Sequence, residues 1–185
     1  MKYTHSLIFV LITLSQNCNH QENREGQKEF EDSIAILMSH ELHLPDSLML
    51  FNEGHNSIIC TKNYLENEIK ILSIIENDCR NCTISQLLFW DSFMMEYDNQ
   101  LEFQLVLIYC GPDEYLRNVL LDELGVKLPL LFDTAGIILK NELFANPEYR
   151  TVLLDKENKV CLIGDFSENK QLEDLYLEEI KQQLY

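Results

Sequence analysis

Cys79 and Cys82 are the residues of this 185-residue sequence whose types and spacing point most directly to chemistry. They follow an apolar, β-branched run and precede an amphipathic one, so the pair is expected where a strand leads into a helix. A thiol at a helix N-terminus lies near unpaired backbone N–H groups, which favour the nucleophilic thiolate. A mixed disulfide made by Cys79 could then be resolved by Cys82. The spacing therefore indicates a site for thiol–disulfide exchange.

The same pair admits two other interpretations, a static disulfide and half of a zinc site. A tetrahedral zinc site needs two further ligands. The candidate donors in the sequence are Cys60, Cys110, Cys161, His40 and His43. However, there is no second Cys-x-x-Cys pair, and the histidine spacing is not that of a metalloprotease helix. We therefore favour redox chemistry, and we expect neither a metal nor a cofactor.

The other cysteines and histidines fit a structural role. Cys60, Cys110 and Cys161 lie within or at the end of apolar runs, where a free cysteine usually acts as a small buried hydrophobe. His40, His43 and His55 are expected at the surface or in loops.

Composition limits the classes of function. The chain has 14 basic and 31 acidic side chains and a formal net charge of -17, which repels nucleic acid and anionic membrane surfaces. We therefore predict no nucleic-acid partner. Hydrophobic residues make up 46% of the sequence, enough for one buried core in a chain of this length.

The first residues resemble a sorting signal. A single lysine is followed by a short apolar run that is the length of a signal-peptide core and too short to cross a bilayer. We predict a signal peptide at 1–17, a tether and N-terminal extension at 18–56, and one folded domain at 57–185. Cys18 follows the apolar run and could carry a lipid anchor, with ordinary signal-peptide cleavage as the rival interpretation.

Strand-like and helix-like patterns alternate along the rest of the chain. Strands are predicted in SIICT, IKILSII, EFQLVLIYC and LPLLFD, and in RTVLLD and KVCLIGD, which the polar turn KEN joins as a hairpin. Helices are predicted in TISQLLFWDSFMMEY, DEYLRNVLLDELG and TAGIILKNELF, and after a Ser167 cap at the C-terminus. The segment FEDSIAILMSHELHLPDSLMLF is expected to begin as a helix and to end as a strand before Pro45. This order predicts an α/β sandwich whose parallel part precedes an antiparallel edge.

Together, the strand, the CRNC motif, its helix, the hairpin TVLLDKENKV and the terminal helix resemble the thioredoxin superfamily. The likeness is greatest to its exported, membrane-tethered thiol–disulfide oxidoreductases. It implies a three-layer α/β sandwich with a central mixed sheet, an inserted helix–strand unit and a C-terminal antiparallel hairpin. It also implies a protein thiol or disulfide substrate, a membrane or envelope redox partner, and a location in the bacterial cell envelope facing the periplasm.

Several positions depart from the family's pattern. Relatives usually have Trp before the first cysteine, and this chain has Asp78. With Glu76 nearby, this carboxylate would raise the pKa of Cys79, and Arg80 would lower it. Tethered relatives often have Glu where this chain has Ser85. We also expect Cys79 to be the more accessible thiol, with Cys82 one turn into the helix and more buried.

The largest departure is in the segment that should face the disulfide. Relatives have a cis-proline there, whereas this chain has Tyr149, followed by Arg150, and Pro147 comes two residues too early. A non-proline cis bond costs about 2.5–4 kcal/mol, so we predict a trans bond. Arg150 could place a positive charge near Cys79. The sequence thus predicts a slow or narrowly specific oxidoreductase, with a non-catalytic thioredoxin-like binding protein as the alternative.

Overall fold

The computed structural model describes residues 42–52, 55–76, 79–112, 125 and 127–184. In these ranges seven strands form one sheet, in the order β2-β1-β5-β4-β3-β6-β7. The strands are β1 (Ser47–Asn52), β2 (His55–Cys60), β3 (Lys70–Glu76), β4 (Gln104–Cys110), β5 (Leu130–Phe132), β6 (Thr151–Leu154) and β7 (Val160–Ile163). The α-helices are α1 (Thr61–Tyr64), α2 (Arg80–Tyr97), α3 (Glu142–Ala145) and α4 (Lys170–Leu184), and Ile138–Lys140 and Pro147–Tyr149 are 3-10 turns.

The centre of the sheet is parallel and its edges are antiparallel. β3 pairs with β4 and β4 with β5 in parallel, whereas β6 runs antiparallel to β3 and β1 antiparallel to β5. β3 and β4 are almost entirely buried, as expected for parallel strands covered on both faces. The predicted mixed sheet is therefore confirmed.

Helices α2 and α4 cover one face of this sheet. Their buried side chains pack in one cluster with alternate residues of the central strands, including Leu87, Trp90, Phe93, Tyr176, Ile180, Ile71, Ile75, Leu107 and Tyr109. The intervening residues Leu72, Ile74, Val106 and Ile108 are at most 1% exposed, so the opposite face is covered as well. This is the predicted three-layer arrangement.

The predicted hairpin is confirmed as β6 and β7. Its turn is closed by Asp155, whose N–H donates to the Lys159 carbonyl at 3.0 Å and whose carboxylate accepts from the Lys159 N–H at 2.9 Å. Asn158 adopts φ 61°, a left-handed conformation that asparagine tolerates better than most residues.

No strand is found directly before Pro45, since residues 42–44 are irregular and β1 begins after this proline, at Ser47; the helix predicted at the start of this segment lies outside the described residues. Proline has no N–H to donate to a sheet, so the strand starts once the chain is past it. β1 pairs with both β2 and β5. The sheet thus takes β1 and the first two residues of β2 from the segment 18–56 that the sequence predicts as an extension.

The single helix predicted in TAGIILKNELF is also wrong. The chain instead forms the 3-10 turn Ile138–Lys140 and the short helix α3, separated by Asn141 in an extended conformation. The side chain of Asn141 accepts from the Leu143 N–H at 3.0 Å, so this residue caps a new helix instead of continuing the old one. The helix predicted in DEYLRNVLLDELG lies outside the described residues, except for Gly125.

The terminal helix α4 is confirmed, but its cap is Asn169 and not Ser167. Asn169 Oδ1 accepts from the Leu172 N–H at 3.1 Å, and its carbonyl accepts from the Glu173 N–H at 2.9 Å. The Ser167 N–H instead donates to the Asp165 carboxylate at 2.8 Å, in the loop ahead of the helix.

The predicted signal peptide, Cys18, His40 and Asp78 lie outside the described residues. Within the described ranges, no helix combines the length and apolar character needed to cross a membrane.

Candidate functional site

β3 and α2 position the two central cysteines. Cys79 is the N-cap of α2, in an extended conformation with φ -145° and ψ 113°, and the helix begins at Arg80. Cys82 therefore lies in the first turn. The two residues are joined by a disulfide, with their Cα atoms 5.2 Å apart. The structure thus brings together the two cysteines that the sequence singled out.

Hydrogen bonds hold this first turn to the end of β3. The Cys82 N–H donates to Cys79 Sγ at 3.3 Å, so the sulfur itself caps the helix. The Thr83 N–H donates to the Cys79 carbonyl at 3.0 Å. The Thr83 hydroxyl lies 3.1 Å from the same carbonyl and 3.2 Å from that of Glu76. Thr83 is 1% exposed and joins strand, cap and helix.

Sequence reasoning missed Thr83. A usable signal was present, because a threonine four residues after a cap can direct its hydroxyl to that residue's carbonyl.

The relative exposure of the two cysteines is the reverse of the prediction. Cys82 is exposed, and Cys79 is only partly exposed. Cys79 is held between the end of β3 and the first turn, where its sulfur accepts the Cys82 N–H. Cys82 opens onto a groove of about 640 Å³. We name this the Cys82 groove; it is lined by Asn81, Cys82, Ser85, Gln86, Phe89, Asp165, Ser167, Glu168 and Asn169.

Glu76 and Arg150, which the sequence treats as separate influences on Cys79, form an ion pair. Arg150 Nη1 lies 2.6 Å from Glu76 Oε2, and the two side chains are 17% and 32% exposed. The Arg150 carbonyl accepts from the Ile74 N–H at 2.8 Å, which fixes this residue beside the end of β3. Their charges offset each other, so neither acts alone on the disulfide. Arg80 is exposed at the start of α2.

Cys110, at the end of β4, is directly opposite Glu76 in the sheet. Its side chain is buried, as predicted. Burial, with smaller contributions from the charges of Asp133 and Glu76, raises the pKa of this thiol to about 12. Arg150 acts in the opposite direction and does not reverse the effect. Burial and the raised pKa both disfavour reaction of the Cys110 thiol.

Tyr149 ends the 3-10 turn Pro147–Tyr149, and both Tyr149 and Arg150 are half-buried. No peptide bond among the described residues is cis, so the predicted trans bond is confirmed. Thr151 pairs with Ser73, and β6 runs antiparallel to β3. The turn therefore lies beside the C-terminal end of β3, where this strand leads to Cys79.

The remaining cysteines differ from one another. The prediction that Cys60 is buried is wrong, because it is exposed at the end of the outermost strand β2. Cys161 is half-buried, and its sulfur accepts a hydrogen bond from Gln183 Nε2 at 3.2 Å.

His43 and His55 are exposed, as predicted. In the part of the chain that the structure describes, no three His, Cys, Asp or Glu side chains are grouped so that they could hold a metal ion.

Comparisons by sequence find no matching family model and no matching curated protein. Solved structures do match. A 2-Cys peroxiredoxin from Plasmodium vivax has a TM-score of 0.59 and 14% identity, over 80% of this chain and 99% of that one. An uncharacterised thioredoxin-like protein from Porphyromonas gingivalis has a TM-score of 0.55 and 20% identity, over 75% and 92%.

A further match is the pneumococcal exposed lipoprotein thioredoxin from Streptococcus pneumoniae. Its TM-score is 0.51 and its identity 17%, over 71% of this chain and 98% of that one. At these identities the likeness concerns the fold. Together with the sheet order and the disulfide at the start of α2, it shows that this chain has a thioredoxin-like fold.

Proposed function

We propose that this chain is a thiol–disulfide oxidoreductase whose working group is the Cys79–Cys82 pair. The observation that carries the proposal is a disulfide at the start of a helix, with one sulfur on the helix cap and the other residue exposed. Exchange with a second protein needs both features. The exposed residue gives access, and the helix N-terminus stabilises the thiolate that is released.

In the reductive direction the Cys79 thiolate attacks one sulfur of a substrate disulfide. A mixed disulfide forms, and the other substrate sulfur leaves as a thiolate that takes a proton. The Cys82 thiolate then attacks Cys79 Sγ, so that the Cys79–Cys82 disulfide forms and the second substrate thiol leaves. Two electrons and two protons pass to the substrate. A second dithiol, the proposed envelope partner, must reduce the pair again.

Cys79 keeps the role of nucleophile although Cys82 is more exposed. Nucleophilicity depends on the thiolate, and Cys79 Sγ is the atom that accepts the first-turn N–H. Asp78 and Arg80 flank it in the sequence and would modulate the thiolate by their charges. Tyr149 and Arg150, at the same edge of the sheet, would contact the substrate backbone.

The test measures reduction of a generic protein disulfide by the wild type and by three variants. Cys79→Ser should abolish turnover. Cys82→Ser should accumulate a mixed disulfide at Cys79, because the resolving thiol is missing. Cys110→Ser is the matched control and should turn over normally. Turnover that survives Cys79→Ser would contradict the proposal, and wild-type protein without any turnover would favour the non-catalytic alternative.

We also propose that the protein acts outside the cytoplasm, in the bacterial cell envelope, with Cys18 as the lipid-bearing residue. The support is the apolar run after a basic start and the fold shared with an exposed lipoprotein thioredoxin. Intact mass of protein recovered from its native source tests this. Acylated Cys18 at the N-terminus is the expected result, and retention of Met1 would contradict it.

A further inference from the structure

The Cys82 groove lies between two segments that are far apart in the sequence. One wall is the start of α2, with Cys82, Gln86 and Phe89, and the other is the loop before α4, with Asp165 and Glu168. A groove of about 640 Å³ is of the size that takes a few side chains of a peptide. Because Cys82 is one of its lining residues, whatever binds there lies beside the disulfide.

The charge of this groove is one-sided. Asp165 and Glu168 are both exposed, and none of the described side chains that line the groove is cationic. The next residue after the groove, Lys170, directs its ammonium group elsewhere, to Glu173 at 2.7 Å and Asp174 at 3.3 Å. Asp165 Oδ1 accepts the Ser167 N–H at 2.8 Å, which leaves its second oxygen and the Glu168 carboxylate to face a positive charge supplied from outside.

One lining residue of the groove, Phe89, is aromatic and packs against buried rings. Phe89 packs edge-on against Phe166, with ring centroids 5.8 Å apart, and against Trp90 at 5.0 Å. Both of those partners are buried, so the Phe89 ring is held in place while part of it remains exposed to the groove. Such a ring offers contact to an apolar side chain or to the aliphatic stem of a lysine or arginine.

The walls also carry amide side chains suited to a peptide backbone. Asn81, Gln86 and Asn169 line the groove. Asn169 Oδ1 is occupied by the Leu172 N–H, so its amide NH₂ is the group left to donate to a substrate carbonyl.

We propose that the Cys82 groove binds the part of a substrate protein next to its reactive cysteine, and that it selects segments with Lys or Arg near that cysteine. The inference rests on the proposed function, because it assigns a substrate class to the same disulfide. A substrate lying against Cys82 has its own cysteine close to both sulfurs of the pair, whose Cα atoms are 5.2 Å apart. Asp165 and Glu168 act as positioning residues, since they contact the flanking charge and not the reacting sulfur.

Two measurements test this. Fluorescence anisotropy reports binding of a labelled Lys-flanked peptide, with Ser in place of its cysteine, to the oxidised protein. Reduction kinetics compare the symmetrical disulfides of two peptides that differ only in Lys or Glu flanks. We expect the double variant Asp165→Asn/Glu168→Gln to weaken binding of the Lys peptide about threefold to tenfold at low salt and to lower its preference in reduction to a similar extent.

The matched control is Glu157→Gln/Glu178→Gln, which removes the same charge from exposed positions outside the groove and should leave both readouts unchanged. The wild-type preference should also decline at high salt, because exposed charges are screened. Equal losses in the test and control variants, or no binding of the Lys peptide, would overturn the inference. Binding that depends on Asp165 and Glu168 without any reduction of either peptide would instead refute the proposed oxidoreductase function and leave the groove as a peptide-binding site.

Discussion

The ends of β3 and β4 provide two contrasting environments for cysteine within one sheet. The strands are parallel neighbours, and Cys110 at the end of β4 is opposite Glu76, three residues before Cys79. β3 ends at Glu76 and helix α2 begins at Arg80, so Cys79 caps this helix and its sulfur accepts a backbone N–H. Cys110 remains within its strand and buried. The contrast teaches that the environment of a cysteine near the end of an apolar strand depends on its exact position, since Cys110 is still part of β4 and Cys79 is already the cap of the next helix.

The largest expected effect is in alkylation of the reduced protein. With a pKa of about 12, Cys110 is about one part in ten thousand ionised at pH 8. An ordinary thiol of pKa about 8.5 is about one-quarter ionised at that pH. Because the thiolate of higher pKa is intrinsically the stronger nucleophile, part of this difference in ionisation is offset, and we expect Cys110 to react at least about fiftyfold more slowly than Cys79. Peptide mapping after timed quenching measures this ratio. Similar alkylation rates for the two residues would show that their environments do not differ in thiol reactivity.

The second effect is on stability at high pH. The pKa of Cys110 is raised from 9.0 to about 12 in the folded chain. Below pH 9 the thiol is protonated in both the folded and unfolded states, so its contribution to stability is fully present. As pH rises from 9 towards 12 only the unfolded chain loses the proton, and this contribution declines by about 1 kcal/mol for each pH unit.

Urea unfolding between pH 8 and 11 measures this decline. Cys110→Val should show a shallower loss of stability than the wild type, whatever its stability at pH 8. Parallel losses in the two proteins would show that Cys110 ionises as freely when folded as when unfolded.

A smaller effect is expected from the ion pair of Glu76 and Arg150. Arg150→Gln leaves Glu76 without its partner at 32% exposure, which should lower the free energy of unfolding by about 1 kcal/mol. The isolated carboxylate should also slow exchange at Cys79 by disfavouring the thiolate. Adding Glu76→Gln should recover part of both losses. Lys156→Gln, in an exposed pair 3.8 Å long, is the control and should change neither.

The smallest effect concerns the turn that makes Cys79 a cap. Thr83→Val keeps the shape of the side chain and removes the one hydroxyl proton that the Cys79 and Glu76 carbonyls share, which should cost about 0.5 kcal/mol. Thr83→Ser retains the hydroxyl and should recover much of this loss. Hydrogen exchange at the Thr83 N–H, which donates to the Cys79 carbonyl, should be faster in the valine variant only. Equal protection in both variants would mean that the hydroxyl does not hold the first turn.

The parts of the site that are local in sequence could be predicted. The apolar run of β3, the two cysteines and the helix after them follow one another, so their patterns alone placed Cys79 at the start of α2. The pairing of Glu76 with Arg150 could not be predicted in this way, because it depends on the register of β3 against β6. The exposure of Cys82 likewise depends on where the distant Asp165 loop packs.

Local side-chain chemistry explains the errors in the fold. Asn141 and Asn169 each accept a backbone N–H two or three residues later, and so they set helix boundaries that hydrophobic periodicity does not show.

The most direct test of the central claim is the reduction of the Cys79–Cys82 disulfide by defined dithiol–disulfide buffers, followed by mass after rapid alkylation. A working pair should pass reversibly between a fully oxidised and a fully reduced form in one two-electron transition while the protein stays folded. Cys60, Cys110 and Cys161 should remain thiols throughout the same titration. A disulfide that stays closed until the protein unfolds would contradict the account, because the pair would then serve the structure and not exchange.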